Sequence, residues 1–240
     1  MGGNICDLLK GDKDARAACG VDLHTPEGCA VPVYTRFEDV KQPVDAVIDF
    51  SSPSVLDSEL KYCIERKIPV VIAATGYTAE QLESIERAAK NTAIFKTANF
   101  SLGINLLVRL VKTTAAILGK TFDIEIIERH HNLKADAPSG TALMLADAMN
   151  DVLDQKREYV EGRSGMVGKR GNEIGIHAVR GGTIVGEHEV MFAGEDEIIT
   201  LSHSARSKRV FAAGAIAAAK WIVGKPSGMY DMNDLLKDIL

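Results

Sequence analysis

Short apolar runs alternate with amphipathic segments along the first hundred residues. Runs rich in β-forming residues occupy 45–50, 69–76 and 93–100, and segments with helical spacing lie between them at 54–67 and 79–91. A strand–helix–strand order with short links is typical of a parallel sheet that carries helices on both faces and has right-handed crossovers. The pattern therefore predicts an α/β fold with a Rossmann-like sheet.

Two local signals add detail to this half of the chain. Thr78 is followed three residues later by Gln81, which predicts a capping box at the start of the helix over 79–91. Nearer the beginning, 4–12 has helical spacing, and 15–22 reads as a strand that ends in an acid.

The pattern changes after Ser101. An apolar-faced helix is predicted over 102–120, a strand over 122–128 and a helix over 140–156. Residues 172–205 then alternate between apolar and polar positions with glycine turns, which predicts antiparallel hairpins or a meander. An alanine-rich helix over 208–224 precedes a short acidic tail.

These elements predict two domains. Residues 1–100, with a helical return over 208–240, form a domain of the dinucleotide-binding type, and residues 101–207 form a mixed α+β domain. No internal repeat or low-complexity segment interrupts either part.

Composition narrows the function classes. The 240 residues carry a formal net charge of -5 without a basic stripe, so nucleic acid is not an expected partner. No apolar run is long enough to span a bilayer and no signal peptide is recognisable, so no membrane partner is expected. The four cysteines form no CxxC pair, which argues against a zinc knuckle or a disulfide framework and favours a cytoplasmic protein with reduced thiols.

The candidate catalytic and binding residues are concentrated in residues 125–149. His130 and His131 are adjacent, so on an extended segment they point to opposite sides and no metal site is expected. Ser139 is a good N-cap, and Gly140 and Thr141 place backbone N–H groups at the positive end of a helix, which suits an anion. No lysine follows the turn, so it is not a P-loop, and for the turn alone an ordinary capped helix after a polar loop is the favoured interpretation.

Lys134 adds a positive charge close to the two histidines and the Ser139–Thr141 turn. An ammonium close to a helix N-terminus suits one or two carboxylates. A neighbouring histidine can donate a proton near neutral pH. The stretch therefore predicts a site for an anionic substrate with an acid beside it.

The same stretch resembles a known family. EIIERHHNLKADAPSGTA, residues 125–142, is similar to the E-x-H-H-x-x-K-x-D-A-P-S-G-T-A signature of the 4-hydroxy-tetrahydrodipicolinate reductases, also called dihydrodipicolinate reductases, of lysine biosynthesis through diaminopimelate. The similarity extends over essentially the whole chain, through residues 47–53, 74–77, 98–105, 179–192 and 227–236.

The resemblance implies an activity and roles for residues. The reaction would be the reduction of a cyclic, unsaturated dicarboxylate by NADH or NADPH. His130 would donate the proton, Lys134 would stabilise developing charge, and the substrate carboxylates would be held by His131, Lys134, Ser139, Gly140 and Thr141. Residues 101–207 would then bind substrate and assemble a homotetramer through the strands of 172–205.

The resemblance also implies a cofactor site. Asp22 would bind the adenosine ribose hydroxyls, and its charge would favour NADH over NADPH, an effect that His24 could soften. Two loops would line the nicotinamide side, formed by Ala73, Ala74 and Thr75 and by Thr97, Ala98, Asn99 and Phe100. Relatives commonly have Gly-Thr-Thr at the first of these loops.

The beginning of the chain departs from the family pattern, which opens with a strand and a glycine-rich loop. Here MGGNICDLL enters a helix directly, and Met1 and Gly2 correspond to the end of that loop. This predicts a gap in the sheet and weak cofactor binding, so a cofactor-deficient, non-catalytic oligomeric member of the family is the alternative.

A semialdehyde or homoserine dehydrogenase is a further alternative, although the His-His-x-x-Lys stretch resembles neither.

Overall fold

The computed structural model describes residues 1–239 and divides into two compact units. Unit 1 comprises residues 1–101 and 209–239, and unit 2 comprises Leu102–Lys208. These limits lie within one residue of the division expected from sequence. None of the helices in the described chain is long and apolar enough to cross a membrane.

Eleven strands and seven α-helices make up the described chain. The strands are β1 Gly20–Val21, β2 Val33–Tyr34, β3 Val47–Asp49, β4 Val70–Ile72, β5 Ala93–Lys96, β6 Asp123–His130, β7 Tyr159–Glu161, β8 Ile174–Arg180, β9 Gly186–Ala193, β10 Ile198–Ala205 and β11 Gly228–Tyr230. The helices are α1 Gly2–Leu9, α2 Leu56–Arg66, α3 Ala79–Ala88, α4 Leu102–Leu118, α5 Gly140–Asn150, α6 Arg209–Ile222 and α7 Met232–Ile239.

The main sheet of unit 1 is parallel throughout, in the order β11-β5-β4-β3. Val70, Ile72 and Ile94 are buried in an apolar cluster with residues of α2 and α3. Phe95 points the other way and contacts Trp221 of α6, with ring centroids 6.0 Å apart. Helices therefore cover both faces, which explains why β4 is apolar at every position. The prediction of a Rossmann-like parallel sheet is confirmed.

β1 and β2 form a second, two-stranded parallel sheet. Within residues 1–239 no strand pair connects it to the four-stranded sheet. The strand predicted over 15–22 is shortened to Gly20–Val21. The predicted acidic tail instead contains β11, which pairs with β5, and α7.

Three strands of the main sheet end level with one another. Asp49 pairs with Ile72, and Ile72 pairs with Lys96, each at the last position of its strand. The loops that follow β3, β4 and β5 therefore leave the sheet along one edge. In open parallel sheets this carboxyl edge is where ligands bind.

The capping box predicted for α3 is confirmed. Thr78 Oγ1 accepts a hydrogen bond from Gln81 N at 3.2 Å, and Gln81 Oε1 accepts one from Thr78 N at 3.0 Å. Gln81 Nε2 also donates to Pro53 O at 2.9 Å, which attaches the start of α3 to the turn before α2.

Unit 2 is built on a five-stranded mixed sheet in the order β10-β9-β6-β8-β7. β9 and β10 form the expected antiparallel hairpin. The expectation of hairpins or a meander throughout 172–205 is wrong for β8, because β8 pairs in parallel with β6 and β7. β6 lies between β8 and β9, and alternation along a strand identifies its buried face but not its neighbours.

α4 and α5 cover one face of this sheet. Apolar side chains from both helices and from three strands form a single buried cluster: Ile104, Leu107, Val111, Ala115, Ile124, Ile126, Ala142, Leu145, Ala146, Met149, Ile174, Ile176, Val190 and Phe192. The helix predicted over 140–156 ends at Asn150, whose side-chain amide bonds both the N and the O of Arg157 at 2.9 Å. These bonds replace the helical pattern beyond that residue.

Glu59 of α2 makes stability depend on pH. It is fully buried, and neither carboxyl oxygen has a hydrogen-bond partner among the described residues. Burial, with a contribution from the charge of Asp49, raises the pKa of Glu59 to about 9 from its usual 4.5. In the unfolded chain Glu59 loses its proton near its usual pKa of 4.5, whereas in the folded chain it keeps the proton up to about pH 9. The folded state is therefore progressively less stable as the pH rises from about 4.5 towards about 9.

We expect Glu59→Gln to remove this loss. The stability of the variant relative to the natural chain should increase with pH, by up to about 1.4 kcal/mol per pH unit within that range. Thermal melting of both proteins between pH 5 and pH 8 measures it, with Glu65→Gln, an exposed position on the same helix, as the control. Parallel pH profiles for Glu59→Gln and the natural chain would contradict the assignment of a buried, protonated Glu59.

Candidate active site

The site in unit 2 begins with two residues on one face of β6. Alternation along the strand places Glu128 and His130 together on the buried face, with Glu128 inaccessible to solvent. His130 Nδ1 lies 2.6 Å from Glu128 Oε2. A carboxylate accepts the Nδ1–H of the imidazole in this arrangement, so Nε2 is the nitrogen left for other chemistry.

The neighbouring strands add two more residues to this face. Arg180 pairs with His130 in the parallel β6–β8 ladder, and His188 pairs with Glu128 in the antiparallel β6–β9 ladder. Arg180 Nη1 and Nη2 donate to the two oxygens of Glu128 at 2.8 and 2.7 Å. Such a two-bond guanidinium–carboxylate pair fixes orientation as well as charge.

Ser139, in the turn before α5, completes the surroundings of Glu128. Its backbone N–H donates to Glu128 Oε1 at 3.0 Å. Burial opposes ionisation of Glu128, but the hydrogen bonds from Arg180 and His130 outweigh it and hold the pKa of this carboxyl below its usual value. Glu128 is therefore a buried, ionised carboxylate near neutral pH.

The geometry equips His130 to act as an acid. The residue is 9% exposed, and its Nδ1 is bonded to the Glu128 carboxylate, which leaves Nε2 as the nitrogen that can carry a transferable proton. Gly186 lies beside the imidazole, and a β-carbon there would be 3.1 Å from His130 Nε2. Glycine at 186 thus leaves room around the nitrogen that would transfer the proton.

His188 is a second buried histidine with a different character. Its ring lies edge-on to that of His130, with centroids 5.2 Å apart, and its Nε2 is 3.0 Å from Ser139 Oγ. Burial, reinforced by the charge of His130, lowers the pKa of His188 to about 4. His188 is therefore neutral near pH 7 and serves as a hydrogen-bond partner for the serine.

Ser139 is the predicted N-cap of α5, and its Oγ accepts from Ala142 N at 3.2 Å. The residue is 2% exposed, and both its N–H and its hydroxyl bond within the protein. Gly140 begins the helix and is exposed, with Thr141 after it. Ser139 thus supports the turn from inside, while the first-turn N–H groups of Gly140 and Thr141 lie at the positive end of the helix. Contact of these three residues with a carboxylate stays a prediction.

Lys134 and His131 lie in the loop between β6 and α5. Lys134 Nζ is 2.7 Å from both oxygens of Asp136, whose side chain is 61% exposed. The Lys134 hydrogen bond lowers the pKa of Asp136. His131 Nδ1 is buried without a hydrogen-bond partner among residues 1–239. Within the described part of the chain, the loop thus carries an ammonium paired with an exposed acid, and a buried imidazole nitrogen without a hydrogen bond.

The sequence reasoning did not identify Glu128, Arg180 or His188 as site residues. Glu128 could have been found, because a carboxylate two positions before a histidine shares its face on a strand. Arg180 and His188 could not, because each depends on which strands lie beside β6.

The cofactor residues proposed from sequence all lie in unit 1. Met1 caps α1, and Gly2 is the first residue of that helix, both exposed. Asp22 follows β1 directly and is exposed, with its Oδ1 accepting from His24 N at 3.1 Å. An acid at the end of a parallel strand is positioned as a ribose ligand would be.

The two predicted nicotinamide loops follow β4 and β5 at the level edge of the main sheet. In residues 73–75, Ala74 is buried and Thr75 is exposed. In residues 97–100, Asn99 Oδ1 accepts from Ser101 N at 2.8 Å, and Phe100 is buried. Adjacent loops at the carboxyl edge of a parallel sheet fit one end of a dinucleotide. Across residues 1–239, no cluster of three or more histidine, cysteine or acidic side chains has the arrangement of a metal site.

Comparison with known proteins identifies the family. The family models for the N-terminus and the C-terminus of dihydrodipicolinate reductase match residues 1–100 and 103–236. This chain belongs to the dihydrodipicolinate reductase family. The prediction made from the residue 125–142 signature is confirmed.

Three members of the dihydrodipicolinate reductase family are similar over more than nine tenths of their length. The 4-hydroxy-tetrahydrodipicolinate reductase of Caldanaerobacter subterraneus subsp. tengcongensis is 53% identical over 238 residues, which cover 99% of this chain and 94% of the relative. The enzyme of the same name from Clostridium tetani is 48% identical, covering 98% and 92%. A dipicolinate-bound dihydrodipicolinate reductase from Paenisporosarcina sp. TG-14 superposes with a TM-score of 0.79 at 25% identity and covers 100% of this chain and 95% of that structure. All three are named as reductases, which gives no support to the non-catalytic alternative.

Proposed function

We propose that this chain is a 4-hydroxy-tetrahydrodipicolinate reductase of lysine biosynthesis through diaminopimelate. The observation that carries the proposal is the pair of His130 with the buried Glu128 carboxylate, next to the N-terminus of α5 in a member of this family. In the reaction the cyclic substrate loses one water and gains one hydride and one proton, giving tetrahydrodipicolinate and the oxidised cofactor. When bound, the reduced nicotinamide supplies the hydride.

The substrate is a cyclic dicarboxylate, and unit 2 offers three kinds of group that suit carboxylates. Gly140 and Thr141 contribute the positive end of α5, and Lys134 contributes an ammonium. His131 contributes a partly exposed imidazole. The dipicolinate bound by the Paenisporosarcina relative is a dicarboxylate of the same ring type, which supports this assignment.

His130 supplies the proton that balances the hydride. Charge develops on the substrate as it accepts a hydride, and a protonated imidazole nearby can quench that charge by transferring its proton. Glu128 keeps His130 Nδ1 occupied, so transfer takes place from Nε2. Lys134 stabilises the developing charge and holds a carboxylate.

The cofactor is NADH or NADPH. Asp22, with the loops 73–75 and 97–100, would hold it, and Met1 and Gly2 would lie near its phosphates. The exposed Asp22 carboxylate would repel a 2′-phosphate, which favours NADH. The Asp22 side chain bonds the backbone N–H of His24, and this leaves its negative charge in place.

A homotetramer in the cytoplasm completes the proposal. The sheet face opposite α4 and α5 carries charged networks such as Glu125 with Arg163 at 2.9 Å and His177 at 2.8 Å. Exposed Val179 and Ile198 lie on its strands. The four cysteines have reduced thiols, as in cytoplasmic proteins.

Sedimentation equilibrium of the full chain should give four times the 25.9 kDa monomer mass, and a monomer would contradict the assembly.

Replacing His130 by Gln tests the acid. We expect turnover to fall by about 10²–10⁴-fold, the usual contribution of a general acid. Cofactor affinity should be nearly unchanged, because the predicted cofactor residues lie in the other unit. Oxidation of reduced nicotinamide with freshly made substrate measures turnover, and fluorescence titration measures affinity. Near-normal turnover would exclude His130 as the proton donor.

Replacing Lys134 by Met tests the ammonium. The variant keeps most of the packing but loses the charge, so turnover should fall about 10-fold or more and the Michaelis constant for the dicarboxylate should rise. Asp136→Asn is the matched control, because it removes the partner of Lys134 and keeps the ammonium. That variant should bind substrate at least as well as the natural chain. A Lys134→Met protein with normal kinetics and only a lower melting temperature would make Lys134 structural.

A further inference from the structure

The two oxygens of Glu128 face different parts of the site. Oε2 lies 2.6 Å from His130 Nδ1 and 2.8 Å from Arg180 Nη1. Oε1 lies 3.0 Å from Ser139 N and 2.7 Å from Arg180 Nη2. One carboxylate thus binds the proposed acid with one oxygen and the turn before α5 with the other, while the guanidinium spans both.

These bonds fix the two groups that proton transfer and carboxylate binding depend on, the imidazole of His130 and the turn at Ser139. The imidazole of His130 is attached to β6 by a flexible side chain, and only the bond at Nδ1 sets which nitrogen carries the transferable proton. Ser139 precedes Gly140 and Thr141, so the position of its N–H decides where the helix N-terminus points. Ser139 Oγ bonds His188, which holds the turn from a second side.

Charge adds to this geometry. The positive charge of Arg180 already balances the negative charge of Glu128, so protonation of His130 would place a second positive charge beside that carboxylate. His188 lies on the other side of the imidazole and is uncharged near pH 7, while Arg180 approaches from β8 and Lys134 from the loop after β6. Loss of the Glu128 charge would therefore leave the Arg180 guanidinium without its carboxylate partner next to His130.

We propose that Glu128 is a positioning residue that couples the two halves of the site: one oxygen binds His130 Nδ1, so that Nε2 is the nitrogen that transfers the proton, and the other holds the turn at Ser139 in a fixed position relative to His130. The proposal rests on the function proposed above. Glu128 does not touch the reacting atoms, because it is fully buried beneath His130 and Arg180.

Glu128→Gln tests the coupling. The amide keeps the shape and loses the charge, so His130 should lose its proton at lower pH. A general acid must be protonated, so the fall of turnover on the alkaline side should move down by about one to two pH units. The Michaelis constant for substrate should also rise, because one amide oxygen cannot replace every bond that the carboxylate accepts.

Glu128→Asp keeps the charge on a shorter side chain. The fall of its turnover on the alkaline side should stay close to that of the natural chain, while its Michaelis constant rises.

Glu125→Gln is the matched control. Glu125 lies on the same strand, 12% exposed, and also binds a histidine and arginines, but on the opposite face of the sheet. Its replacement should leave both the pH profile and the Michaelis constant unchanged, with sedimentation confirming the same assembly. If Glu128→Gln and Glu125→Gln both lower only the melting temperature, Glu128 is structural and the proposal is wrong. If Glu128→Gln does not fold, an Asp variant with natural substrate affinity overturns the coupling.

A titration without substrate separates this inference from the proposed function. Histidine side-chain resonances of the natural full-length chain and of Glu128→Gln, assigned with the His130→Gln variant, report the protonation of His130 directly. A downward shift of the His130 titration supports the positioning role even if no nicotinamide is oxidised, in which case the proposed function fails alone. An unshifted titration in a folded variant that turns over normally overturns the inference and leaves the function standing.

Discussion

A carboxylate taken out of water must find charged or polar partners, and this requirement organises the site of unit 2. Glu128 meets it with bonds from His130, Arg180 and the Ser139 N–H. These donors come from β6, β8 and the turn before α5, so the buried charge is satisfied only when all three segments are in place. The requirement that stabilises the fold is thus the same one that brings the proposed catalytic groups together.

The second buried glutamate of the chain shows the other outcome. Glu59 is equally inaccessible but has no hydrogen-bond partner among the described residues, and it is protonated at neutral pH. The same residue type is therefore a neutral acid within unit 1 and an anion within unit 2. The difference lies in the donors around it and not in burial, which opposes ionisation at both positions.

Sequence reasoning succeeded where the information is local. The capping box of Thr78 and Gln81 and the cap at Ser139 are set by residues within three positions of one another, and the structure has both. The parallel sheet of unit 1 was predictable because strands buried on both faces are apolar throughout. The pairing of β8 with β6 was not, because an alternating strand shows which face is buried and leaves its neighbours undetermined. Arg180 and His188 were missed for that reason.

The structure also changes how the Ser139–Thr141 turn is understood. A serine at an N-cap next to an anion site is easily taken as a ligand, since its hydroxyl can bind a carboxylate. Here the hydroxyl bonds Ala142 N and His188, and the N–H bonds Glu128, so both groups of Ser139 bond within the protein. His188 is neutral near pH 7 because it is buried beside His130. The acid and the turn therefore share two buried connections, one through an anion and one through an uncharged imidazole. A change of charge at His130 during turnover would therefore act on the turn at Ser139 through Glu128 and through His188.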